Sequence, residues 1–529
     1  MTEYRQQSSE LHLEEEEGVK FLSPHEYRTK LREWGSEKLL ETYERVLAIA
    51  EAVRQAGGRA LLVGGSVRDS LMGRASKDFD IEVYGLKPNQ LEVLAQQFGK
   101  VSEVGKAFGI LKLSSGEGID IDLSLPRTDS KIGEGHRGFA VKVDPHMSIE
   151  DAAQRRDFTI NSVAADPLTG ELFDPFGGVK DLKERRLRVT DAERFRDDPL
   201  RVMRALQFIG RFGLELDSES SRIIQEMAPE LRKLPKERIG EEWKKLLLKS
   251  KKPSLGLAAG MALGVFHEIH PELPPLAGTP QEQEWHPEGD VWVHTLMVVD
   301  EAAKIVRREQ IAEEQALTVL LASLAHDFGK PAVTEFRDER WRAHEHESAG
   351  VEPTQKFLTR LGTDALTRDK VVKLVANHLA PGLFYVSEVV KGKSVSDGAI
   401  RRLAERIAPA TIQELVLVAE ADHSGRGPFV DPEIPEQLLL PEGFPAGRWL
   451  LERARKINVE KSKPTHLITG KALVQLGFRP GISMGRVIAL ADQLRDEKEF
   501  SADMIFVAVH GLETTEQAVS KLESLLNEK

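Results

Sequence analysis

Two aspartates stand at the start of an apolar run in the segment KDFDIEVYG, residues 77–85. Asp78 and Asp80 are two residues apart, so in a strand their carboxylates point to the same face. Two carboxylates at this spacing repel each other unless a cation lies between them, and Mg²⁺ prefers oxygen ligands. The pair therefore indicates metal-dependent chemistry on phosphate, although a lone Asp-x-Asp is more often a solvated turn.

Two flanking segments strengthen this interpretation. VGGSVRD, residues 63–69, is predicted to be a strand that ends in glycines and turns into a helix, where free N–H groups suit a phosphate. IDIDLSLPR, residues 119–127, places Asp120 and Asp122 on another apolar strand, from which a third acid could join the first two. Three acids beside a glycine turn predict a two-metal site for in-line phosphoryl transfer.

Histidines and aspartates of the C-terminal half form a second constellation. The chain has no cysteine, so a metal site must use His, Asp and Glu. Imidazole and carboxylate ligands bind divalent metals and can activate a water for attack on phosphorus. The candidate ligands are His294, His326, Asp327, His378, Asp422 and either His344 or His346, between which the sequence does not choose.

Five segments resemble, in order and spacing, the motifs of the bacterial tRNA nucleotidyltransferase and poly(A) polymerase family: LLVGGSVRDSLMG, KDFDIEVYG, RRDFTINSVA, DPFGGVKDLKERRLRV and DDPLRVMRALQF. The resemblance implies that Asp78 and Asp80 bind Mg²⁺ as the catalytic pair, with tRNA, CTP and ATP as partners. Asp122 is taken as the third acid in preference to Asp120, because it precedes LSLPR as the family's strand acid precedes its closing arginine. The resemblance assigns nucleotide binding to Gly64, Gly65, Arg68, Arg155, Arg156, Asp157, Asn161, Asp198, Arg201 and Arg204.

The residue types suit these roles. Adjacent arginines, an aspartate and an asparagine in RRDFTIN suit a triphosphate and ribose hydroxyls. Asp198 and Arg201 are expected to lie three apart on a helix and to share one face, where together they could recognise the edge of cytosine or adenine. Similar enzymes use such a pair as a protein template. Asp197, where the family commonly has Glu, is left out of the pair.

The product of the transferase stays open between complete CCA addition, CC-only or A-only addition, and poly(A) synthesis. RTDSKIGEGHRGF, residues 127–139, occupies the place of a flexible loop that resembles the one full CCA enzymes use to switch to ATP. Its presence favours complete CCA addition. A phosphohydrolase or RNA-binding module with a decayed transferase head is a further alternative.

The second constellation resembles the HD superfamily of metal-dependent phosphohydrolases. WHPEGDVWVHTLMVV, HDFGK, HEHESAG and EADHSGRG are similar to the HD domain that is fused to the transferase in multifunctional bacterial CCA proteins. The resemblance implies 2′,3′-cyclic phosphodiesterase, 2′-nucleotidase and phosphatase activities, and a divalent metal whose identity the sequence does not give.

Length and composition predict a modular protein. A chain of 529 residues is too long for one hydrophobic core, and the 40% hydrophobic and 30% charged content is typical of a globular protein. The acidic N-terminal stretch lacks the order of a signal peptide, and no apolar run reaches the roughly 18 residues of a membrane span. We expect a cytoplasmic location without membrane contact. The net charge of −12 argues only weakly against binding nucleic acid.

The predicted fold class is α+β. A polymerase-β-type head with a small mixed sheet is expected to precede a mainly helical body, an all-α HD domain and a helical C-terminal region. The predicted domains are an acidic extension at 1–36, the head at 37–190, a helical nucleotide- and RNA-binding neck at 191–276, the HD domain at 285–430 and a helical tail at 440–529.

Overall fold

The computed structural model describes residues 23–33, 37–74, 76, 78–102, 110–114, 120–131, 139–430, 438–439 and 443–528. The chain divides into two compact units, Met1–Leu234 and Pro235–Lys529. The division falls inside the predicted neck, and the predicted domain boundaries stay predictions.

The first unit combines short strands with helices. Its helices are α1 (Pro24–Glu33), α2 (Glu37–Gln55), α3 (Gly65–Leu71), α4 (Pro88–Ala95), α5 (Ile149–Gln154), α6 (Gly178–Lys183), α7 (Ala192–Phe195), α8 (Leu200–Phe212) and α9 (Ser218–Met227). Its strands are β1 (Arg59–Val63), β2 (Phe79–Tyr84), β3 (Lys100–Ser102), β4 (Ile110–Ser114), β5 (Asp120–Ser124), β6 (Arg127–Lys131), β7 (Phe139–Val143), β8 (Ala164–Ala165), β9 (Leu172–Phe173), β10 (Arg186–Leu187) and β11 (Glu215–Leu216).

A mixed sheet with the strand order β3-β4-β5-β2-β1-β8-β9 forms the centre of this unit. β2 and β5 run parallel, whereas the other neighbouring strands run antiparallel. The small mixed sheet expected for the head is therefore confirmed. Strand β2 lies at its middle and is hydrogen-bonded to β1 on one side and β5 on the other.

Helix α2 shows why this segment is helical. Its apolar side chains recur every three or four residues, which places them on one stripe of a 3.6-residue helix. Tyr43, Val46, Ala50 and Val53 on that stripe are almost completely buried. Gly57, at a φ of 85°, turns the chain into β1.

The second unit is mainly helical, as expected. Its helices are α10 (Lys236–Lys249), α11 (Pro253–Ala262), α12 (Val265–Ile269), α13 (Val291–Arg308), α14 (Glu313–Ala325), α15 (Lys330–Val333), α16 (His346–Ala349), α17 (Val351–Arg360), α18 (Ala365–Val375), α19 (Ala380–Tyr385), α20 (Asp397–Ile407), α21 (Ile412–Ser424), α22 (Pro445–Lys456), α23 (Gly470–Gln475), α24 (Ile482–Lys498), α25 (Ala502–Val509) and α26 (Thr515–Asn527). Two small antiparallel ribbons, β12 (Glu335–Arg337) with β13 (Arg340–Arg342) and β14 (Phe429–Val430) with β15 (Leu438–Leu439), interrupt them.

Helices α13, α14 and α21 pack against one another through buried apolar faces, and each brings a candidate metal ligand to the same place. The C-terminal helices α23 to α26 enclose a hydrophobic cluster of their own, which includes Leu494, Ile505 and Leu522. Among the described residues, no helix is both long and apolar enough to cross a membrane. The α+β class is confirmed.

One sequence expectation about local structure is wrong. Asp198 was expected on the same helix as Arg201, but α8 begins at Leu200 and Asp198 precedes it. Pro199 explains the difference, because the residue before a proline is disfavoured in the α region. The Asp198 carboxylate instead accepts a hydrogen bond from the N–H of Leu200 at 3.1 Å.

The close packing of α6 gives a stability prediction. A Cβ atom on Gly178 would lie 2.1 Å from the carbonyl oxygen of Thr159, so the backbones meet directly. We expect Gly178→Ala to lower the free energy of unfolding of the first unit by about 2 kcal/mol or more, since overpacking commonly costs about 1–3 kcal/mol. Calorimetry measures the effect. Gly485→Ala, where a Cβ meets open space, is the control and should not destabilise the protein; equal stability of the two variants would contradict the prediction.

Candidate functional site

The predicted acids of the head come together at β2 and β5. Asp80 lies directly opposite Asp122 on the neighbouring parallel strand, and opposite Val63 at the end of β1. Asp78 immediately precedes β2 and is exposed, and its N–H and carbonyl both contact the Ser76 hydroxyl. The period-two argument that grouped these carboxylates is therefore consistent with the register. Asp120 lies one position outside the β2–β5 pairing, and its side chain falls outside the described residues.

The electrostatics at Asp80 suit a cation. Burial raises the pKa of Asp80 to about 6; the carboxylates of Asp122, Asp78 and Glu82 add to the rise, and the Arg156 guanidinium opposes it. A carboxylate that is this costly to ionise gains from a divalent ion with oxygen ligands. The residues present therefore fit a metal site at this edge of the sheet.

The glycine turn after β1 lies against the same carboxylate. Gly64 has a φ of 69°, which disfavours any side chain, and a Cβ there would lie 3.2 Å from Arg156 Nη1 and 3.5 Å from Asp80 Oδ2. Gly65, the first residue of α3, has open space around it apart from the Arg68 guanidinium. The turn thus leaves room beside Asp80 that a side chain would fill.

Glu82 is a site residue that the sequence analysis missed. Its carboxylate is buried and accepts hydrogen bonds from Arg155 Nη2 at 2.7 Å and from the Tyr84 hydroxyl at 2.8 Å, with Arg156 Nη2 at 3.8 Å. Burial raises the pKa of Glu82, but the two guanidinium groups outweigh burial and lower it. The signal was present, because Glu82 continues the i, i+2 pattern of Asp78 and Asp80.

The base-recognition candidate Arg201 is held by main-chain oxygens. Its Nη2 donates to the carbonyl of Arg155 at 2.6 Å and its Nη1 to the carbonyl of Arg194 at 2.9 Å. Burial lowers the pKa of Arg201, and Asp157 and Asp198 oppose this shift. Arg201 is therefore fixed at the start of α8, next to Asp198 and to the arginine pair.

A second chain of contacts joins α8 to α3. Arg204 Nε donates to Asp157 at 2.6 Å, the Asn161 side chain donates to the same carboxylate at 2.8 Å, and Arg68 Nη1 donates to Asn161 at 2.7 Å. The Arg68 guanidinium is also paired with Asp69 at 2.6 Å and is buried. Although burial opposes it, the pairing with Arg204 and the amide of Asn161 lower the pKa of Asp157 to about 2. These groups hold one another, and direct nucleotide contact by them stays a prediction.

The second unit brings together the HD candidates. His294 Nε2 lies 3.1 Å from Asp422 Oδ1 and 3.3 Å from His326 Nε2, while Asp327 Oδ2 lies 3.1 Å from His326 Nε2. The other oxygen of Asp327 lies 3.5 Å from His346 Nε2, which in turn lies 3.3 Å from His378 Nε2. Asp327 therefore belongs to two adjoining groups, and all of these side chains are buried.

The histidines are oriented for metal binding. The Nδ1 atoms of His326, His346 and His378 each lie 2.8 Å from a carbonyl oxygen three residues earlier. A ring that donates its Nδ1 proton to a carbonyl presents a bare Nε2, which is the usual orientation of a metal ligand. Two pairs of Nε2 atoms lie 3.3 Å apart, a spacing that a shared metal ion or proton accommodates. The residues fit a metal centre.

The geometry favours His346 over His344 as a metal ligand, and the choice stays a prediction. His346 is buried in the cluster, whereas His344 is exposed and lies outside it. The structure therefore brings His346, and not His344, together with the other candidate ligands. The sequence could not separate them, because His344 lies only two residues before the first residue of helix α16, which is His346.

Three further residues of this centre were missed by the sequence analysis. Glu288 Oε1 lies 2.8 Å from His294 Nδ1 and 2.9 Å from His286 Nδ1, so it orients His294. Lys330 Nζ lies 2.8 Å from Asp327, and Arg426 Nη2 lies 3.2 Å from Asp422. Burial raises the pKa of Asp422, but Arg426 and His294 outweigh burial and hold it well below its usual range. Both cations stand in motifs already singled out, HDFGK and EADHSGRG.

Family comparisons match three stretches of the chain. Residues 60–188 match the Poly A polymerase head domain, residues 213–276 the probable RNA and SrmB-binding site of polymerase A, and residues 291–425 the HD domain. A Multifunctional CCA protein of Xanthomonas campestris pv. campestris (strain B100) is 38% identical over 376 residues, which cover 69% of this chain and 85% of that protein.

Solved structures show the same fold. The CCA-adding enzyme of Bacillus stearothermophilus in complex with CTP superposes with a TM-score of 0.58 at 22% identity, covering 86% of this chain and 93% of that one. The Thermotoga maritima CCA-adding enzyme complexed with tRNA has a TM-score of 0.55 at 20% identity, covering 94% of this chain and 98% of that one.

The raised pKa of Asp80 predicts a stability change that depends on pH and metal. The pKa of Asp80 in the folded protein, about 6, lies above the ~3.9 of an unfolded aspartate. The protonated carboxyl therefore stabilises the folded state at low pH, and this contribution is lost as the pH rises through 6. Without metal at pH 8, we expect Asp80→Asn to stabilise the protein by about 2 kcal/mol. Added Mg²⁺ should stabilise the wild type and not the variant. Equal responses to Mg²⁺ in calorimetry would contradict the prediction.

The two neighbouring histidines offer a matched pair of variants. We expect His346→Ala to lose bound divalent metal, since it removes an imidazole from the buried cluster, and His344→Ala to retain it. Metal content after dialysis, measured by mass spectrometry of the element, is the readout. Retention by His346→Ala together with loss by His344→Ala would reverse the assignment.

Proposed function

The chain belongs to the family of multifunctional CCA proteins, and we propose that it adds and repairs the 3′-terminal CCA of tRNA with CTP and ATP, without a nucleic-acid template. We further propose that its HD centre hydrolyses phosphoesters, as a 2′,3′-cyclic phosphodiesterase, 2′-nucleotidase or phosphatase. The pairing of Asp80 with Asp122, beside a glycine turn, is the observation that supports the transferase most directly. The cytoplasmic location stays a prediction.

In the transferase, Asp78, Asp80 and Asp122 are the proposed Mg²⁺ ligands. Bound there, Mg²⁺ would supply positive charge to the phosphates and would lower the pKa of the attacking hydroxyl. The Arg156 guanidinium lies close to both Gly64 and Asp80, which supports the proposal that it binds a phosphate oxygen of the nucleotide. Gly64 admits the phosphates because it has no side chain.

Nucleotide choice is proposed for Asp198 and Arg201. A carboxylate accepts from an exocyclic amino group and a guanidinium donates to ring acceptors, so the pair suits the edges of both cytosine and adenine. Two main-chain carbonyls hold the Arg201 guanidinium, which limits the orientations it can adopt. A fixed donor of this kind can select a base in the absence of a template.

In the HD centre, the proposed metal ligands are His294, His326, Asp327, His346, His378 and Asp422. A divalent metal there would supply an activated water and polarise the phosphoester. Lys330 and Arg426 bring positive charge to the same place, although each is paired with a carboxylate of the centre, and they are proposed to bind the phosphate of the substrate.

The alternative functions use the same nucleotidyl-transfer chemistry but give different products. Poly(A) synthesis, CC-only addition and A-only addition use the same metal acids. Most of the loop at 127–139, which favoured complete CCA addition, lies outside the residues whose side chains are described. End-labelled tRNA lacking CCA, incubated with Mg²⁺ and each nucleotide separately and together, divides these products.

We expect complete CCA addition by the wild type in that assay. Asp78→Ala should lower the rate of nucleotide addition by about 100-fold or more, on the order expected when a catalytic metal ligand is lost. The same variant should leave the rate of phosphoester hydrolysis unchanged. Asp327→Ala should do the reverse, which makes each variant the control of the other. Absence of CMP incorporation, or long A tails on unrelated RNA without use of CTP, would overturn the CCA assignment.

A further inference from the structure

A cleft opens above the HD centre and has an unusual lining. Its volume is about 250 Å³, and His346, Lys330 and Arg426 of the centre line it. Trp285 and Trp341 also line it, although 56% and 38% of their surfaces are exposed. Exposed tryptophans are uncommon unless they contact a ligand or a partner, since each leaves a large apolar area in water.

Both tryptophans stand on restrained backbone. Trp341 lies in β13 opposite Phe336 of β12, with the ring centroids 5.1 Å apart in an edge-to-face contact. The main-chain N–H of Trp341 donates to the Glu282 carboxylate at 3.1 Å. The main-chain N–H of Trp285 donates to the main-chain carbonyl of the same Glu282, also at 3.1 Å. One residue therefore connects the β12–β13 ribbon to the segment that carries Trp285.

The charges of the cleft suit an anion near the tryptophans. Arg342 lines the cleft beside Trp341, and Lys330 and Arg426 lie at the metal-ligand cluster. Cations next to a metal centre suit a phosphate, and indole rings suit the face of a nucleobase. The volume lies just below the roughly 300–1,000 Å³ of typical small-molecule pockets, which favours a ligand no larger than a single nucleotide.

We propose that Trp285 and Trp341 bind the base of a single unstacked nucleotide whose ribose phosphate lies at the HD centre. The site then selects phosphoesters that carry a nucleobase over base-free ones, and it accepts different bases, because stacking uses the face that every base has. This specificity rests on the proposed hydrolase function of the same centre. Free nucleotides and the 3′ end of an RNA share this chemistry.

Three substrates test the role of the base. Adenosine and cytidine 2′,3′-cyclic phosphates carry a base, whereas methyl β-D-ribofuranoside 2,3-cyclic phosphate has the same ring without one. We expect the wild type to prefer both nucleotides by about tenfold or more in kcat/KM. Trp341→Ala should remove most of this preference and leave the base-free rate unchanged, and Trp341→Phe should restore it. Equal loss on all three substrates, or no wild-type preference, would overturn the proposal.

A binding measurement needs no turnover. Adenosine 2′-phosphate should quench the tryptophan fluorescence of the full-length protein, ribose 5-phosphate should not, and Trp285→Ala and Trp341→Ala should each reduce the quenching. Absence of quenching while hydrolysis is intact overturns the base site alone. Quenching without hydrolysis of any phosphoester in Mg²⁺, Mn²⁺ or Ni²⁺ overturns the hydrolase function and supports the base site.

The source of the nucleotide is decided by a further comparison. A short single-stranded RNA that ends in a 2′,3′-cyclic phosphate is compared with the free cyclic nucleotide of the same base. A higher kcat/KM on the RNA, with the same dependence on Trp341, identifies a strand end as the source. A higher value on the free nucleotide identifies mononucleotides. A rate on either that does not depend on Trp285 or Trp341 contradicts the proposal.

Discussion

Groups of like charge cannot be packed together away from water unless a cation compensates them, and this constraint governs both sites. In the first unit the half-buried carboxylate of Asp80 faces Asp122 across two parallel strands. In the second, the buried carboxylates of Asp327 and Asp422 lie 3.9 and 3.1 Å from the same atom, His294 Nε2. The surrounding arginines and lysine neutralise part of the negative charge of these carboxylates. The remaining negative charge favours the binding of a divalent metal.

Strand β2 ties the proposed chemistry to the proposed nucleotide recognition. Asp80 and Glu82 share one face of this strand; the first lies at the carboxylate cluster and the second binds Arg155, whose carbonyl holds Arg201. A slip of one residue in register would move both carboxylates to the opposite face. Pairing with β1 on one side and β5 on the other fixes that register.

The sequence predicts what depends on short-range periodicity and loses accuracy where long-range packing decides. The period of two in a strand was enough to group Asp78 with Asp80, and the same rule, applied further, would have found Glu82; the choice of Asp122 came from the family resemblance. The turn before α8 was mistaken for helix because the effect of Pro199 was overlooked. The choice of His346 depends on where α16 packs in three dimensions, which spacing along the chain does not encode.

Arg155 makes two contacts, one through its side chain and one through its main chain. Its guanidinium binds Glu82, whereas its main-chain oxygen holds Arg201. Replacement of the side chain removes the first contact and leaves the second in place, because every residue type has a carbonyl oxygen. Alanine scanning at Arg155 would therefore not report the main-chain contact that holds Arg201.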